Sequence, residues 1–145
     1  MPTHAEVRTL PHTQDQMFDL VADIERYPEF LPWCLDAKIW KREGNVVYAD
    51  LVIGYKMFRE RFTSKVTLTK PGHIHVEYQK GPLKYLSNHW RFLPSNPKSC
   101  VIDFFVDFEF RNPIFQKVMG VFFNEAVKRM VAAFETRADF LYAKK

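Results

Sequence analysis

Ile102-Asp103-Phe104-Phe105-Val106-Asp107-Phe108-Glu109-Phe110 alternates apolar and polar side chains, and Asn112-Pro113 follows two residues later. The alternation predicts a strand with one apolar and one wet face. Asn112 as N-cap and Pro113 at the first helical position then open a run that holds no further proline up to Lys145. A helix of roughly 30 residues is about 45 Å long. Phe115, Met119, Phe122, Ala126, Met130 and Ala133 form one stripe along it, flanked by Val118, Phe123, Val127, Phe134 and Leu141, while Glu125 and Arg129 make a favourable i,i+4 pair. A half-wet strand running into a long amphipathic helix means that the sheet face and the helix stripe must cover one another.

Upstream, the period of two extends back to Leu35. Leu35, Ala37 and Ile39 alternate with Asp36, Lys38 and Trp40; Glu43-Gly44-Asn45 turns the chain; Val47, Ala49, Leu51 and Ile53 follow. A long strand then sets Phe58, Glu60, Phe62, Ser64, Val66 and Leu68 against Arg59, Arg61, Thr63, Lys65 and Thr67. Pro71-Gly72 leads to Ile74, Val76 and Tyr78, and Gly81-Pro82 leads to Leu86, Asn88, Trp90 and Phe92. Six strands in hairpin succession form an antiparallel sheet, and a first strand over Thr3 to Leu10 can join its edge. Between them, Thr13 and Gln16 form a capping box before Met17, Phe18, Leu20, Val21 and Ile24. The run Tyr27-Pro28-Glu29-Phe30-Leu31-Pro32-Trp33-Cys34 holds two prolines, so it makes a turn of helix or a bent, apolar loop.

With 145 residues and no internal repeat, linker or low-complexity tract, residues 1–145 read as a single domain. The 14 Phe, 6 Tyr and 3 Trp make 16% of the chain aromatic, which excludes a disordered or collagen-like protein. A net charge of +4 favours acidic surfaces without the concentrated basic block of a nucleic-acid tail. Cys34 and Cys100 lack a metal-ligand spacing, and Met1-Pro2-Thr3-His4 does not open like a secretory signal, so a cytoplasmic setting is expected. No apolar run approaches the roughly 18 residues that span a bilayer, which leaves only a peripheral membrane role.

The element order β-α-α-β6-α is similar to the α+β helix-grip fold of START-like lipid-binding proteins: a seven-stranded curved antiparallel sheet around a long C-terminal helix. The segment from Met17 to Cys34, the Gly81-Pro82 turn and Trp90-Arg91-Phe92 resemble the coenzyme-Q-binding protein family. The resemblance spans essentially the whole chain. It implies a polyprenyl quinone such as ubiquinone held in a cavity as a bound ligand, with no separate cofactor and no catalysis, in support of respiratory electron transport or quinone biosynthesis. The wider superfamily includes ribosome-association toxins that bind the large ribosomal subunit, and polyketide cyclases. These supply a second and a third reading.

Within that frame, the inward residues Phe58, Glu60, Phe62, Val66, Val76, Tyr78, Asn88, Trp90, Phe104, Phe108, Met119, Phe122 and Met130 are expected either to fill a core or to line a cavity. Glu60 is the sharpest case, because a carboxylate between two phenylalanines needs a partner, a proton or water. It is either a strand-end residue that reaches solvent or an anchor for a ligand headgroup, with Tyr78 and Asn88 as other anchors. Pro28, Phe30, Leu31, Pro32 and Trp33 either pack over the cavity mouth or form a lid that touches anionic membrane at the inner face of the cytoplasmic membrane. Arg59, Arg61 and Lys65 offer the same positive charge to RNA phosphates. His73 and His75 read as a solvated pair and not a metal site, Cys34 and Cys100 as small buried residues, and Asp103, Asp107 and Glu109 as a wet outer surface.

Overall fold

In the computed structural model, which describes residues 3–55, 58–95 and 97–142 and all their side chains except those at 55, 58, 115 and 118–124, seven strands form one antiparallel sheet. β1 (Thr3–Leu10) precedes α1 (Gln14–Ala22) and a 3-10 helix (Ile24–Glu29). Then come β2 (Cys34–Glu43), β3 (Val46–Tyr55), β4 (Phe58–Thr69), β5 (His73–Lys80), β6 (Leu83–Pro94), β7 (Cys100–Phe110) and α2 (Pro113–Tyr142). The order across the sheet is β1-β7-β6-β5-β4-β3-β2, so β2 to β7 run as a meander and β1 closes on β7. This is the helix-grip architecture, with the curved sheet folded about the C-terminal helix.

Local chemistry accounts for the element ends. The Thr13 hydroxyl accepts from the Gln16 backbone N–H at 3.1 Å while the Gln16 side chain accepts from the Thr13 N–H at 2.9 Å, so the capping box starts α1. Asn112 Oδ1 accepts from the Ile114 N–H at 2.8 Å and caps α2. Gly81 turns β5 into β6 at φ 145°, where a Cβ would lie 2.8 Å from the Arg61 carbonyl oxygen. Irregularities in pairing at Cys34/Asp36, Ile39/Lys41, Thr63/Ser64 and Leu83/Tyr85 bend the sheet.

Three details depart from simple alternation. The irregularity after Cys34 turns Leu35 outward, 49% exposed, so Cys34, Ala37 and Ile39 face inward on β2. On α2 the buried line is Val127, Val131, Phe134 and Ala138, one step round from the expected Met130 and Ala133, and Leu141 is exposed. β1 turns its polar side inward: His4, Glu6 and Arg8 stand opposite Val106, Phe104 and Ile102, leaving Val7 67% exposed. Partners make that polar side tolerable. Glu6 accepts from His4 at 3.0 Å and from Arg8, and Arg8 reaches Glu135 of α2 at 2.7 Å. Burial raises the Glu6 pKa, but hydrogen bonds from His4 and Arg8 outweigh it and hold the carboxyl below its ordinary value.

Candidate functional site

The concave face divides into two regions. At the β6–β7 end, Phe92, Ile102, Phe104, Trp90 and the α2 residues Val131, Phe134 and Ala138 are all buried. Trp90 meets Phe104 edge-on at 4.7 Å and Phe134 at 5.0 Å between ring centroids, an arrangement aromatic pairs favour. Across β3, β4 and β5 the same inward parity continues through Leu51, Ile53, Glu60, Phe62, Ser64, Val76 and Tyr78, with Leu86 and Asn88 on β6. All of these remain only half-buried, whereas Val47, Ala49, Val66 and Ile74, farther along the same strands on the same face, are buried.

The structure therefore distributes the expected site residues unevenly. Glu60, Phe62, Val76, Tyr78 and Asn88 share the half-covered region, and Met130 is half-buried on α2. Val66 is buried beneath them, while Trp90, Phe104 and Phe108 are covered by protein. The expectations for Phe58, Met119 and Phe122 concern side chains outside the described residues.

Polar atoms on this face differ in what they have left to offer. The Tyr78 hydroxyl accepts from the Leu83 N–H at 2.9 Å, and its own proton has no acceptor among the described residues. Asn88 Nδ2 donates to the Phe105 carbonyl at 2.9 Å and Oδ1 accepts from the Trp90 indole at 3.1 Å, so this amide mainly fixes its neighbours. Glu60 has no partner among the described residues and stands opposite Ile53, which in turn pairs with Cys34. That row lies at the rim, next to the end of the proline-rich segment. Ser64, directly opposite Tyr78, is a polar inward residue that the sequence reading placed on the face without singling it out.

The proline-rich segment is pinned at several points. Pro28 lies inside the 3-10 helix, and Pro28, Phe30, Leu31, Pro32 and Trp33 are all half-buried. Tyr27, Phe30 and Phe134 form an edge-on aromatic trio, with the Tyr27 and Phe30 rings each 5.3 Å from that of Phe134. Arg137 sits over the Phe30 ring at 5.2 Å and bonds Glu29 at 2.6 Å. Hydrogen bonds from Arg26 and Arg137 lower the Glu29 pKa. Trp33 adopts φ 68°, and its carbonyl accepts from the Gly54 N–H at 2.9 Å, fastening the segment to the end of β3.

On the convex face, register brings His89 beside His73 and His75. The three rings stack, with His75 and His89 4.0 Å apart and His73 Nε2 2.9 Å from His89 Nδ1. Sequence reading found the first two. His89 was legible only through the β5–β6 register, since it lies sixteen residues from His73 in the chain. Stacked rings do not converge on a point, and among the described residues no group of three or more His, Cys, Asp or Glu is placed to hold a metal ion. Burial lowers the pKa of His73 and His89, helped by Arg91 and the neighbouring imidazoles. Both cysteines are buried; desolvation pushes the Cys34 thiol up to about 11 and raises that of Cys100, which disfavours the nucleophilic thiolate. No helix among the described residues is long and apolar enough to cross a membrane.

Comparison with known proteins agrees with this geometry. Residues 10–135 match the family model described as polyketide cyclase / dehydrase and lipid transport. Coenzyme Q-binding protein COQ10 homolog B, mitochondrial, of Xenopus laevis is 34% identical over 97% of this chain, which spans only 59% of that protein. Ribosome association toxin RatA of Rickettsia prowazekii is 35% identical over 95% of this chain and 97% of its own length. Among solved structures, an 18 kDa protein of Caulobacter crescentus is 32% identical, with a TM-score of 0.79, over 99% of this chain and all of its own. A START superfamily protein of Mycobacterium smegmatis superposes with a TM-score of 0.84 at 17% identity over 96% of this chain and 98% of that one, a likeness of fold. The match over residues 10–135 places the chain in the polyketide cyclase / dehydrase and lipid-transport family.

Proposed function

We propose that the chain binds a polyprenyl quinone such as ubiquinone, or a lipid of like shape, against the concave face of β3–β5. The observation that carries this is the half-buried apolar face of Leu51, Ile53, Phe62, Val76 and Met130, interrupted by polar groups at Glu60, Ser64 and Tyr78. An isoprenoid tail needs shape-tolerant apolar walls, while quinone carbonyls accept hydrogen bonds. The Tyr78 proton and the Ser64 hydroxyl are suited to donate them. Glu60, at the rim, keeps that end of the site wet. A domain with a radius of gyration of roughly 15 Å cannot enclose a long prenyl chain, so the tail continues past the proline-rich segment. There, 73% exposed Phe140 lies beside Arg137 and offers a peripheral membrane contact. The activity is carriage of the ligand in support of respiration or quinone synthesis, not catalysis.

Association with the large ribosomal subunit is the second reading, favoured by a relative named for ribosome association that this chain covers along 97% of its length. A cyclase activity needs an acid/base pair beside the ligand; the inward His4–Glu6 pair lies on β1, three strands away from β5, and Glu60 has no partner among the described residues. Mass spectrometry of lipid extracted from the natively purified protein, paired with ribosome sedimentation, separates the first two. Prenylated quinone that disappears in a Phe62→Ala, Tyr78→Phe double variant supports the first. Lipid-free protein that comigrates with the large subunit overturns it.

A further inference from the structure

The convex face of the sheet is electrostatically divided. Asp103, Asp107 and Glu109 occupy β7, the histidine stack lies over β6 and β5, and Arg59, Arg61 and Lys65 lie on β4. Beyond them, a depression of about 740 Å³ opens between Lys38, Trp40, Tyr48, Asp50, Arg61, Thr63, Gln79 and Lys80. We infer that this depression binds a single-stranded segment of RNA, with an unpaired base on Trp40 and phosphates on Lys38, Arg61 and Lys80.

The Trp40 ring makes the case. It is 53% exposed, yet held in place: its indole N–H donates to Asp50 Oδ1 at 3.1 Å and its ring leans on Tyr48 at 5.5 Å. Asp50 also accepts from the Thr63 hydroxyl at 2.7 Å and faces Arg61 at 3.9 Å, so the depression's carboxylate is already engaged. Against that one carboxylate, Arg61, which keeps most of its side chain in solvent, and Lys38 and Lys80 leave the rim net positive. Lys41 sits over Tyr48, 5.4 Å from its centroid, and pairs with Glu43 at 3.4 Å. A fixed aromatic ring ringed by cations is the arrangement that stacks bases and tracks a phosphate backbone. A bilayer would call for an apolar side chain free to insert, which an indole tied to a carboxylate is not. A duplex would hide the base faces that Trp40 is placed to meet. Thr63 and Gln79 add hydroxyl and amide groups suited to a ribose 2′-OH.

This inference is independent of the concave-face ligand, and it does not require ribosome association: a free oligonucleotide tests it, whereas sedimentation tests the other. Fluorescein-labelled decauridylate is titrated into the full chain by anisotropy across a salt series. Three phosphate contacts predict a log–log salt slope of about −2, and Lys38→Ala or Lys80→Ala each flatten it by about 0.7. Trp40→Ala weakens binding roughly tenfold or more, and Trp40→Phe recovers part of the loss. Lys128→Ala, on exposed helix surface across the molecule, changes neither, and circular dichroism confirms that each variant is folded. Deoxyuridylate of equal length binds several-fold more weakly, and uridine monophosphate competes only at far higher concentration. Absence of binding at low salt, or binding that ignores Trp40→Ala, overturns the site. Equal affinity for the deoxy oligomer overturns the assignment to RNA.

Discussion

The two ends of the concave face carry similar sequence and meet different fates. On β6 and β7, Trp90, Phe92, Ile102 and Phe104 alternate with polar residues as Leu51, Ile53, Phe62 and Val76 do on β3 to β5. At the first end, Phe134, Val131 and Ala138 of α2, with Phe18 of α1 against Phe92 at 5.9 Å, close over the sheet. At the second, Leu51, Ile53, Phe62 and Val76 are left half-covered, although Val47, Ala49, Val66 and Ile74 farther along the same strands are buried. Alternation says which way a side chain points, but what lies above it decides whether it becomes core or binding surface. That depends on where the curved sheet parts from the helix packed against it.

Substitutions should separate the ends, beginning with the largest effect. Phe104→Ala empties a fully packed position and is expected to cost about 4 kcal/mol in urea unfolding, the usual range for a buried phenylalanine. A loss under about 1 kcal/mol would mean that this end is not close-packed. Phe62→Ala should cost only roughly 1 to 2 kcal/mol, because the ring is half-buried, yet weaken quinone binding about tenfold. If Phe62→Ala proved as destabilising as Phe104→Ala with affinity unchanged, the two ends would be one core.

The smallest expected effect is one of pH, on the other face of the sheet. His73 and His89 have folded-state values below the ordinary 6.5, so the unfolded chain takes up protons first as pH falls. Their contribution to stability is complete above about 6.5 and is lost on acidification through their lowered values. The charges facing the stack are Arg91 on β6, Glu77 on β5, Lys65 on β4 and Asp103 on β7. His89→Gln should flatten the melting temperature against pH just below 6.5 while leaving the steeper loss below 4.5, where Glu6 and Glu29 take up protons. An unchanged profile would show that the stack does not titrate in this range.

Much of the fold was legible because its signals are local. The capping box at Thr13, the Gly81-Pro82 turn, the cap at Asn112 and the parity of β3 to β7 all depend on neighbours in the chain. The outward turn of Leu35 was not, since one extra residue in a strand flips parity without marking the composition. Nor was the inward side of β1. Val7 is the more apolar choice, but the partners that make His4, Glu6 and Arg8 acceptable inside lie as far away as Glu135. Of the candidate site, the facing direction of Glu60, Phe62, Tyr78 and Asn88 followed from parity alone. That all four stay half-buried was not legible, because it depends on how α2 packs, and its buried line falls one residue from the stripe its periodicity indicates.

The asymmetry of the concave face is tested most directly by methyl-resolved NMR during titration with a short-tailed ubiquinone. Shifts confined to Leu51, Ile53, Val76 and Met130, with Ile102, Val131 and Ala138 unmoved, are the predicted result. Saturable shifts at Ile102 and Val131 with none at Ile53 or Val76, or no shifts at all at millimolar ligand, would contradict it.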